Sequence, residues 1–530
     1  MTFLVLLSLG VLGATLLWLR VRSIGHREPG LPPGPPTIPL LGNLHVFPTE
    51  FAHYRFTEWA RKYGGIFSLK IGPGTTVVLT DAAIFKELMD KRTASTADRP
   101  PLYIADLVTG GLNMSLARYS DTWRRLGRAA HTILTPDATA QHLAIQKAEA
   151  TQLLYDFLTT PEDFYKNVQR YANSVILSVL YGQRSPRYES PETTVFFKAN
   201  HEWKLVLDPG STPPIELVPI LKYVPAQWAK WKRDCKRTRE LQRIVYFGLI
   251  DKTMERVQRG EENGCYMEEV LLRREEFRLD REMMGEDRTP LHPFLHSLIL
   301  ALMAYPEVQR KAHEEMDRIV GDQRMPTLDD LQRMPYIRAI ILETHRFRPT
   351  APLMLPHAAS ATEEYKGYII PKGATIFVNA SLYDDTEEFI PERYLDSENG
   401  TKPGVDGSDL RHNFVFGVGR RICPGMHLAQ NSLNINTMNL IWAFNFTPPL
   451  DTTGNPIQPD LFAYMKGILT GPHPFACTIT PRTTHKAQIV RREFVEAAET
   501  FARFEGGLSE ADRVYVREMR AAAGSGLVDE

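Results

Sequence analysis

FGVGRRICPG, residues Phe416–Gly425, sets one cysteine in a glycine-rich loop, behind two arginines and ahead of an apolar run. In that run, Met426 to Phe446, the residues Ile435, Met438 and Trp442 recur at helical spacing, which predicts a buried helix. Pro424 fits its first position, where a missing N–H costs nothing. A cysteine just ahead of a helix N-terminus has its thiolate favoured by the helix dipole and by free backbone N–H groups. Gly417, Gly419 and Gly425 would let the backbone press against something flat and large. Arg421 would offer a cation to an acidic group on that object. The plainer alternative for Cys423 is a buried structural thiol in a turn.

The chain has 530 residues, 43% hydrophobic and 24% charged, with a formal net charge of −1. This is an ordinary globular composition with ample material for a core. A charge near zero gives no reason to expect nucleic acid as a partner. Cys235, Cys265, Cys423 and Cys477 lie far apart, with no Cys-x-x-Cys pair, so neither a zinc site nor a disulfide framework is signalled. A reducing, cytosol-facing location fits that usage.

Thr2 to Leu19 is almost wholly apolar, and Arg20, Arg22, His26 and Arg27 follow. The length is at the low end for a bilayer span. A cleaved signal peptide would carry a charged start and a small-residue cleavage site. The start has no Lys or Arg, and positive charge after the segment argues for a retained anchor with the bulk of the chain on the cytoplasmic side. Leu31–Pro36, LPPGPP, is too stiff for a flexible linker and would hold the next domain at a set angle.

Phe416, Gly419, Arg421, Cys423 and Gly425 complete a pattern that resembles the haem-ligand signature of the cytochrome P-450 family, the haem-thiolate monooxygenases. The resemblance implies that Cys423 is the axial metal ligand of a haem (heme b) iron. A thiolate there pushes electron density onto the iron and favours O–O cleavage. Glu343 and Arg346 lie on one helical face, 80 residues before Cys423, at a spacing similar to the family's Glu-x-x-Arg. FIPERY, Phe389 to Tyr394, resembles its Pro-Glu-Arg-Phe element, with Tyr394 in place of Phe. By that resemblance Glu343, Arg346 and Arg393 form a buried charged triad that braces the cysteine loop. Trp123, in the basic run WRRLGRAAH, matches a family residue that binds a haem propionate, as do Arg421 and His357. The family's basic residue four positions after that Trp is replaced by Gly127, and Arg128 is on another face. The proline-rich hinge after an anchor is also similar to microsomal members.

Further elements are expected along the chain. Ile66 to Thr80 reads as a hairpin around Gly72-Pro73-Gly74, and Tyr368 to Asn379 as another around Pro371-Lys372-Gly373. Asp106 to Ser120 is loop-like. Ser174 to Leu180 and Lys230 to Val257 are helical, with prolines from Pro209 to Pro219 between them; by resemblance this region covers the substrate pocket. Lys252 to Arg288 reads as solvated helix and loop. Leu295 to Val320 is a helix pair broken at Tyr305-Pro306, and Ile337 to Phe347 is a helix. Thr350 to His357 resembles the strand lining the pocket, with Met354 and Leu355 facing substrate, and Phe462 to Thr470 supplies a last pocket loop. Lys486 to Arg520 is a charged amphipathic tail of one or two solvated helices.

The sequence departs from the family at two places. The long central helix should carry a Gly-x-Asp/Glu-Thr run, yet Gly285 to Pro293 reads GEDRTPLHP, and Pro290 and Pro293 forbid a regular helix. Asp287 and Thr289 are therefore given no catalytic role. Back-translated and read one nucleotide earlier, the same stretch permits Gly-Gly-Ser-Asp-Thr-Thr-Ser-Ser, which points to a frame lesion or misplaced intron boundary. The link between Asn379 and Phe389 is shorter than the family's.

The fold expected is mainly α with small β-sheets, a cytochrome P-450 fold with its central haem-crossing helix shortened, behind an N-terminal transmembrane helix. Its parts are an anchor at 1–22, a basic and proline-rich hinge at 23–45, a catalytic domain at 46–481 and a charged helical tail at 482–530. The resemblance implies insertion of one atom of O2 into a small lipophilic substrate, with electrons from NADPH through a membrane-bound flavoprotein reductase, at the cytosolic face of the endoplasmic reticulum membrane. Overall similarity points to fungal secondary metabolism. The alternative from another class is a membrane-anchored haem-binding remnant without monooxygenase activity.

Overall fold

The computed structural model describes residues 23–208, 210–284, 292–379, 387–397, 399–400 and 414–526, with the single positions 13 and 15. The expected anchor lies outside these residues apart from positions 13 and 15. So do Gly285 to Leu291 and 380–386 of the shortened link. Among the described residues no helix is long and apolar enough to cross a membrane.

The major helices are α1 (Ala52–Tyr63), α2 (Tyr103–Thr109), α3 (Asp121–Ile133), α4 (Leu143–Thr159), α5 (Phe164–Tyr181), α6 (Pro191–Leu207), α7 (Lys230–Gln258), α8 (His292–Ala304), α9 (Pro306–Ile319), α10 (Pro335–Phe347), α11 (Met426–Ala443), α12 (Thr484–Glu496), α13 (Ala498–Ala502) and α14 (Glu510–Ser525). Local chemistry sets many of their ends. Pro191, Pro306 and Pro335 occupy the first turns of α6, α9 and α10, where no N–H is needed. α5 stops at Gly182, whose φ of 68° lets its N–H return to Leu177 and Ser178 carbonyls. A Cβ on Gly182 would also stand 2.3 Å from Asn263 Oδ1.

The strands are β1 (Ile66–Ile71), β2 (Gly74–Leu79), β3 (His357–Ala358), β4 (Glu363–Tyr365), β5 (Tyr368–Ile370), β6 (Thr375–Val378), β7 (Phe444–Thr447) and β8 (Thr478–Pro481). A four-stranded sheet runs β1-β2-β6-β3, and β4-β5 and β7-β8 form two-stranded sheets. The hairpin expected around Pro73 is present, with Ile66 opposite Leu79. The one expected around Pro371 is not. β5 pairs back with β4 through Lys366 and Gly367, both at positive φ, while β6 crosses to lie parallel to β2. Two residues in succession at positive φ make the tight turn that matches strand twist.

Other expectations also shift. α11 begins at Met426 with Gly425 as its cap, so Pro424 precedes the helix rather than opening it. The stretch before His357 is irregular, and only His357–Ala358 is strand. α2 occupies the start of the segment read as loop. The helix Tyr266–Leu272 buries Tyr266, Met267 and Val270, so the charged run after α7 is not solvated throughout.

The core lies along α4, α5, α8, α10 and α11, and the C-terminal helices complete it. Val490, Phe494 and Phe501 are fully buried there. Phe494 stacks on Tyr155 of α4 with ring centroids 4.4 Å apart. Burying each such side chain is worth about 1.5–3 kcal/mol. The tail read as solvated is therefore part of the domain.

Candidate functional site

Ile435, Met438 and Trp442 are buried and anchor the far end of α11, while the residues from Cys423 to Asn431 at its near end are only half-buried. Cys423 N–H donates to Phe416 O at 2.7 Å, and Met426 N–H returns to Cys423 O at 3.2 Å. These bonds close the 416–423 loop at the cysteine and tie it to the start of α11. The glycines act differently from expectation. A Cβ on Gly419 would stand 2.4 Å from Thr93 Oγ1 and 2.7 Å from Met89 O, and one on Gly417 would be 3.0 Å from Arg421 O. Both therefore serve close packing within the protein. Only Gly425 opens toward Cys423, its Cβ position lying 3.9 Å from Sγ.

Arg421 turns inward. Its Nε donates to Ala97 O at 2.7 Å, Nη2 to Ala117 O at 2.9 Å and Nη1 to Met114 O at 3.3 Å. The guanidinium sits 4.2 Å from the Trp123 ring centroid, and Trp123 Nε1 donates to the same Met114 O at 3.0 Å. Ser120 caps α3 and fixes Trp123, accepting its N–H at 3.1 Å. At Gly127 nothing stands within 4 Å of a Cβ, and Arg128 is exposed.

Arg99, which motif reading missed, completes this cradle. Its Nε donates to Ser115 O at 2.8 Å, and its Nη1 to Leu355 O at 2.7 Å and Pro356 O at 2.9 Å. His357 is buried beside it, with Nδ1 2.9 Å from Thr96 O. No signature surrounds Arg99; the Asp98-Arg99-Pro100 run in a charged neighbourhood looks like surface loop.

The electrostatics of the cradle are unbalanced. Among the described residues neither Arg99 nor Arg421 has a carboxylate partner. The nearest carboxylate, Asp98, is committed to Arg118 at 2.6 Å and to the N–H groups of Arg99 and Tyr119. Burial lowers Arg99 to about 9, with Arg421 adding to the shift, and burial lowers Arg421 to about 10. Burial, then Arg99 and Arg421, pull His357 down to about 3. Isolated buried cations are costly. A group carrying two acidic side chains fits this donor set, and the haem expected from the cysteine loop is such a group.

The bracing charge cluster centres on one carboxylate. Glu343 accepts from Arg346 at 2.7 and 2.8 Å, from Arg393 Nε at 3.2 Å and from Ile390 N–H at 2.7 Å. Arg346 also donates to Glu388 O at 2.6 Å. α10 links this cluster to the loop through rings, since His345 lies 4.5 Å from Phe294 of α8 and 5.8 Å from Phe416. Met354 packs among the residues of the four-stranded sheet rather than into an open pocket, with φ of 53°, and Leu355 spends its carbonyl on Arg99. Tyr464, in the expected last loop, donates to Ser297 of α8 at 3.0 Å.

The chain matches the family model described as Cytochrome P450 over residues 32–257 and 293–478. It is 46% identical over 507 residues to a cytochrome P450 monooxygenase of Armillaria gallica, covering 92% of this chain and 96% of that one. It is 34% identical to cytochrome P450 monooxygenase macC of Penicillium terrestre, with 93% and 97% covered. A solved zebra fish cytochrome P450 with progesterone shares the fold, at a TM-score of 0.66 and 22% identity, covering 81% of this chain and 99% of that one. With a cysteine loop, a helical fold carrying small sheets and relatives of this extent all agreeing, the chain belongs to the cytochrome P450 family and is a monooxygenase of the haem-thiolate kind, acting on O2 and a substrate.

Proposed function

We propose that Cys423 supplies the thiolate ligand of a haem, that Arg99, Arg421, Trp123 and His357 hold its propionates, and that Glu343, Arg346 and Arg393 brace the loop from behind. The observation that carries this reading is the pair of buried arginines without a carboxylate, beside the cysteine loop and on the same cluster of backbone carbonyls at 114–117. When bound, the haem supplies the oxygen-activating redox chemistry. The chain's own residues do the rest. Cys423 lies beside the start of α11, whose unpaired N–H groups favour the anionic sulfur. Phe416 and Arg421 fix the loop on its two sides. Apolar walls from α8 and the 462–470 loop exclude water and favour a small lipophilic substrate.

The relatives are fungal monooxygenases, which supports a role in fungal secondary metabolism. Electrons would come from NADPH through a flavoprotein reductase. An endoplasmic reticulum location, with residues 1–22 as the anchor and the domain facing the cytosol, has support in exposed apolar side chains. Leu40, Leu41, Ile220, Tyr223 and Trp228 are all exposed. Gly72 ties the two groups together, since a Cβ there would be 3.7 Å from Leu217 and 3.8 Å from Leu40 O. The family match leaves out 258–292, which supports a frame lesion at Gly285 to Pro293, and transcript sequence across that stretch tests it.

The test is the carbon-monoxide difference spectrum of the reduced protein, with NADPH- and reductase-dependent turnover. Thiolate-ligated haem with turnover is expected, and Cys423→Ser should abolish both. A Cys423→Ser protein that keeps the same absorbance and activity overturns the reading. Thiolate haem without turnover favours the binding remnant.

A further inference from the structure

The C-terminal unit, α12 to α14, lies beyond the family match, which ends at 478. It reaches the roots of a helical hairpin on the far side of the domain. Asp512 of α14 is fully buried; its Oδ1 accepts from Arg187 Nε at 2.7 Å and from Ser190 Oγ at 3.0 Å, and its Oδ2 from Ser509 Oγ at 2.7 Å. Ser190 is the residue from which α6 starts. The other root is the loop after α7. There Asn263 Nδ2 donates to Gly182 O at 2.7 Å and to Arg503 O at 3.2 Å. Between the roots, Arg184 N–H donates to Phe504 O at 3.0 Å, and its side chain pairs with Glu505 at 2.7 Å and lies 3.5 Å from the Phe501 ring centroid. One C-terminal unit thus pins where α6 begins and where α7 ends.

The free end of the same hairpin spans the site. α6 ends at Asp208, whose carboxylate would stand 3.5 Å from a Cβ on Gly467 in the 462–470 loop. α7 packs along α2, with Trp231 and Tyr103 rings 6.2 Å apart and Arg239 donating to Leu107 O at 3.4 Å. α2 leads directly into the carbonyls at 114–117 that hold Arg99, Arg421 and Trp123. Motion of α6 and α7 about their roots would open the space between the 462–470 loop and that turn.

We propose that the C-terminal unit clamps the roots of the α6–α7 hairpin, and that Asp512 is a positioning residue setting how readily the hairpin lifts to admit small molecules. The second half rests on the reading that α6 and α7 cover the haem pocket. A buried carboxylate that accepts three hydrogen bonds from two chain segments joins those segments, and a neutral amide cannot accept as many. Arg187 is the milder handle, because it lies at the rim and solvent can replace it.

The experiment compares full-length, haem-loaded protein with Asp512→Asn and Arg187→Gln. Amide hydrogen exchange is read first, since it needs no assumption about the haem. Asp512→Asn should speed exchange across 183–207 and 253–265 by roughly tenfold, the factor a charge-assisted hydrogen bond carries, while α4 and α11 stay unchanged. Association of carbon monoxide and of 4-phenylimidazole with the haem should quicken in the same variant, with the Soret position unaltered. Arg187→Gln should do the same to a smaller extent, and it serves if Asp512→Asn fails to fold. Exchange that rises uniformly, or not at all, overturns the clamp. Local exchange without faster ligand association overturns the positioning role and assigns the failure to the cover reading, not to the pin.

Discussion

Two buried arginine clusters flank the cysteine loop, and they are built on opposite principles. Behind it, Arg346 and Arg393 share the carboxylate of Glu343, so each cation has an anionic partner within the chain. In front, among the described residues, Arg99 and Arg421 meet backbone carbonyls and the Trp123 ring but no carboxylate, so neither cation has an anionic partner. The first arrangement holds protein to protein. The second offers its charge to an outside anion, the role proposed above for haem propionates. Motif spacing gives no hint of this difference, because both clusters are arginines in charged surroundings. What separates them is where the single carboxylate goes.

The largest effect should come from breaking the cluster built on Glu343. Glu343→Gln leaves two arginines facing a neutral amide, and losing one member of a buried pair costs about 3–5 kcal/mol. Urea unfolding of the haem-loaded protein should show it, with Ile390 and the 387–397 segment losing their anchor as well. A loss under about 1 kcal/mol, the range of a surface pair, would erase the distinction drawn between the clusters.

The cluster without a carboxylate should respond in another observable. Arg421→Gln and Arg99→Gln remove partners of an external anion, so haem should leave for an acceptor such as apomyoglobin roughly tenfold faster or more, as befits one charge-assisted hydrogen bond. Their unfolding midpoints should fall less than that of Glu343→Gln. Haem release at the parental rate in both variants would show that the leftover charge has another purpose.

The smallest effect sharpens the comparison through two buried histidines. His357 is held near 3 by burial together with Arg99 and Arg421, whereas His296, stacked 3.7 Å from Tyr165, is held near 3 by burial alone. In the unfolded chain each titrates near 6.5, so between 6.5 and about 3 the folded chain binds fewer protons. Stability is therefore full above pH 6.5 and falls as pH drops below it, by up to about 1.4 kcal/mol per unit for each site. Asp156, raised to about 6 by burial, works in the opposite sense and is common to all variants. A bound anion relieves the push on His357 only. In the haem-loaded protein, His296→Asn should flatten the acid limb more than His357→Gln. Equal flattening would mean that no anion sits beside the arginines.

The parts of the site that short motifs carry were legible residue by residue. Cys423, Glu343, Arg346 and Arg393 each sit in a pattern whose spacing is set by a loop or one helix turn. Arg99 was not legible, because its carbonyl partners are at 115, 355 and 356, and no local pattern joins those positions. The glycines of the loop were read as facing a ligand. Gly419 instead serves the approach of the segment at 89–93, a neighbour more than three hundred residues away in the chain. The tail was read from its charge alone, and Glu505 and Asp512 turned out to be partners of Arg184 and Arg187 in the link between α5 and α6.

By itself the sequence determined the family, the helical fold class, the cysteine loop and the paired triad, since these rest on local periodicity and on contacts within short loops. Tertiary structure alone decided which arginines are neutralised, what the loop glycines touch and whether the tail belongs to the core. Those outcomes depend on burial and on long-range pairing, and the free energy of a buried charge is set by whichever distant group the fold places beside it.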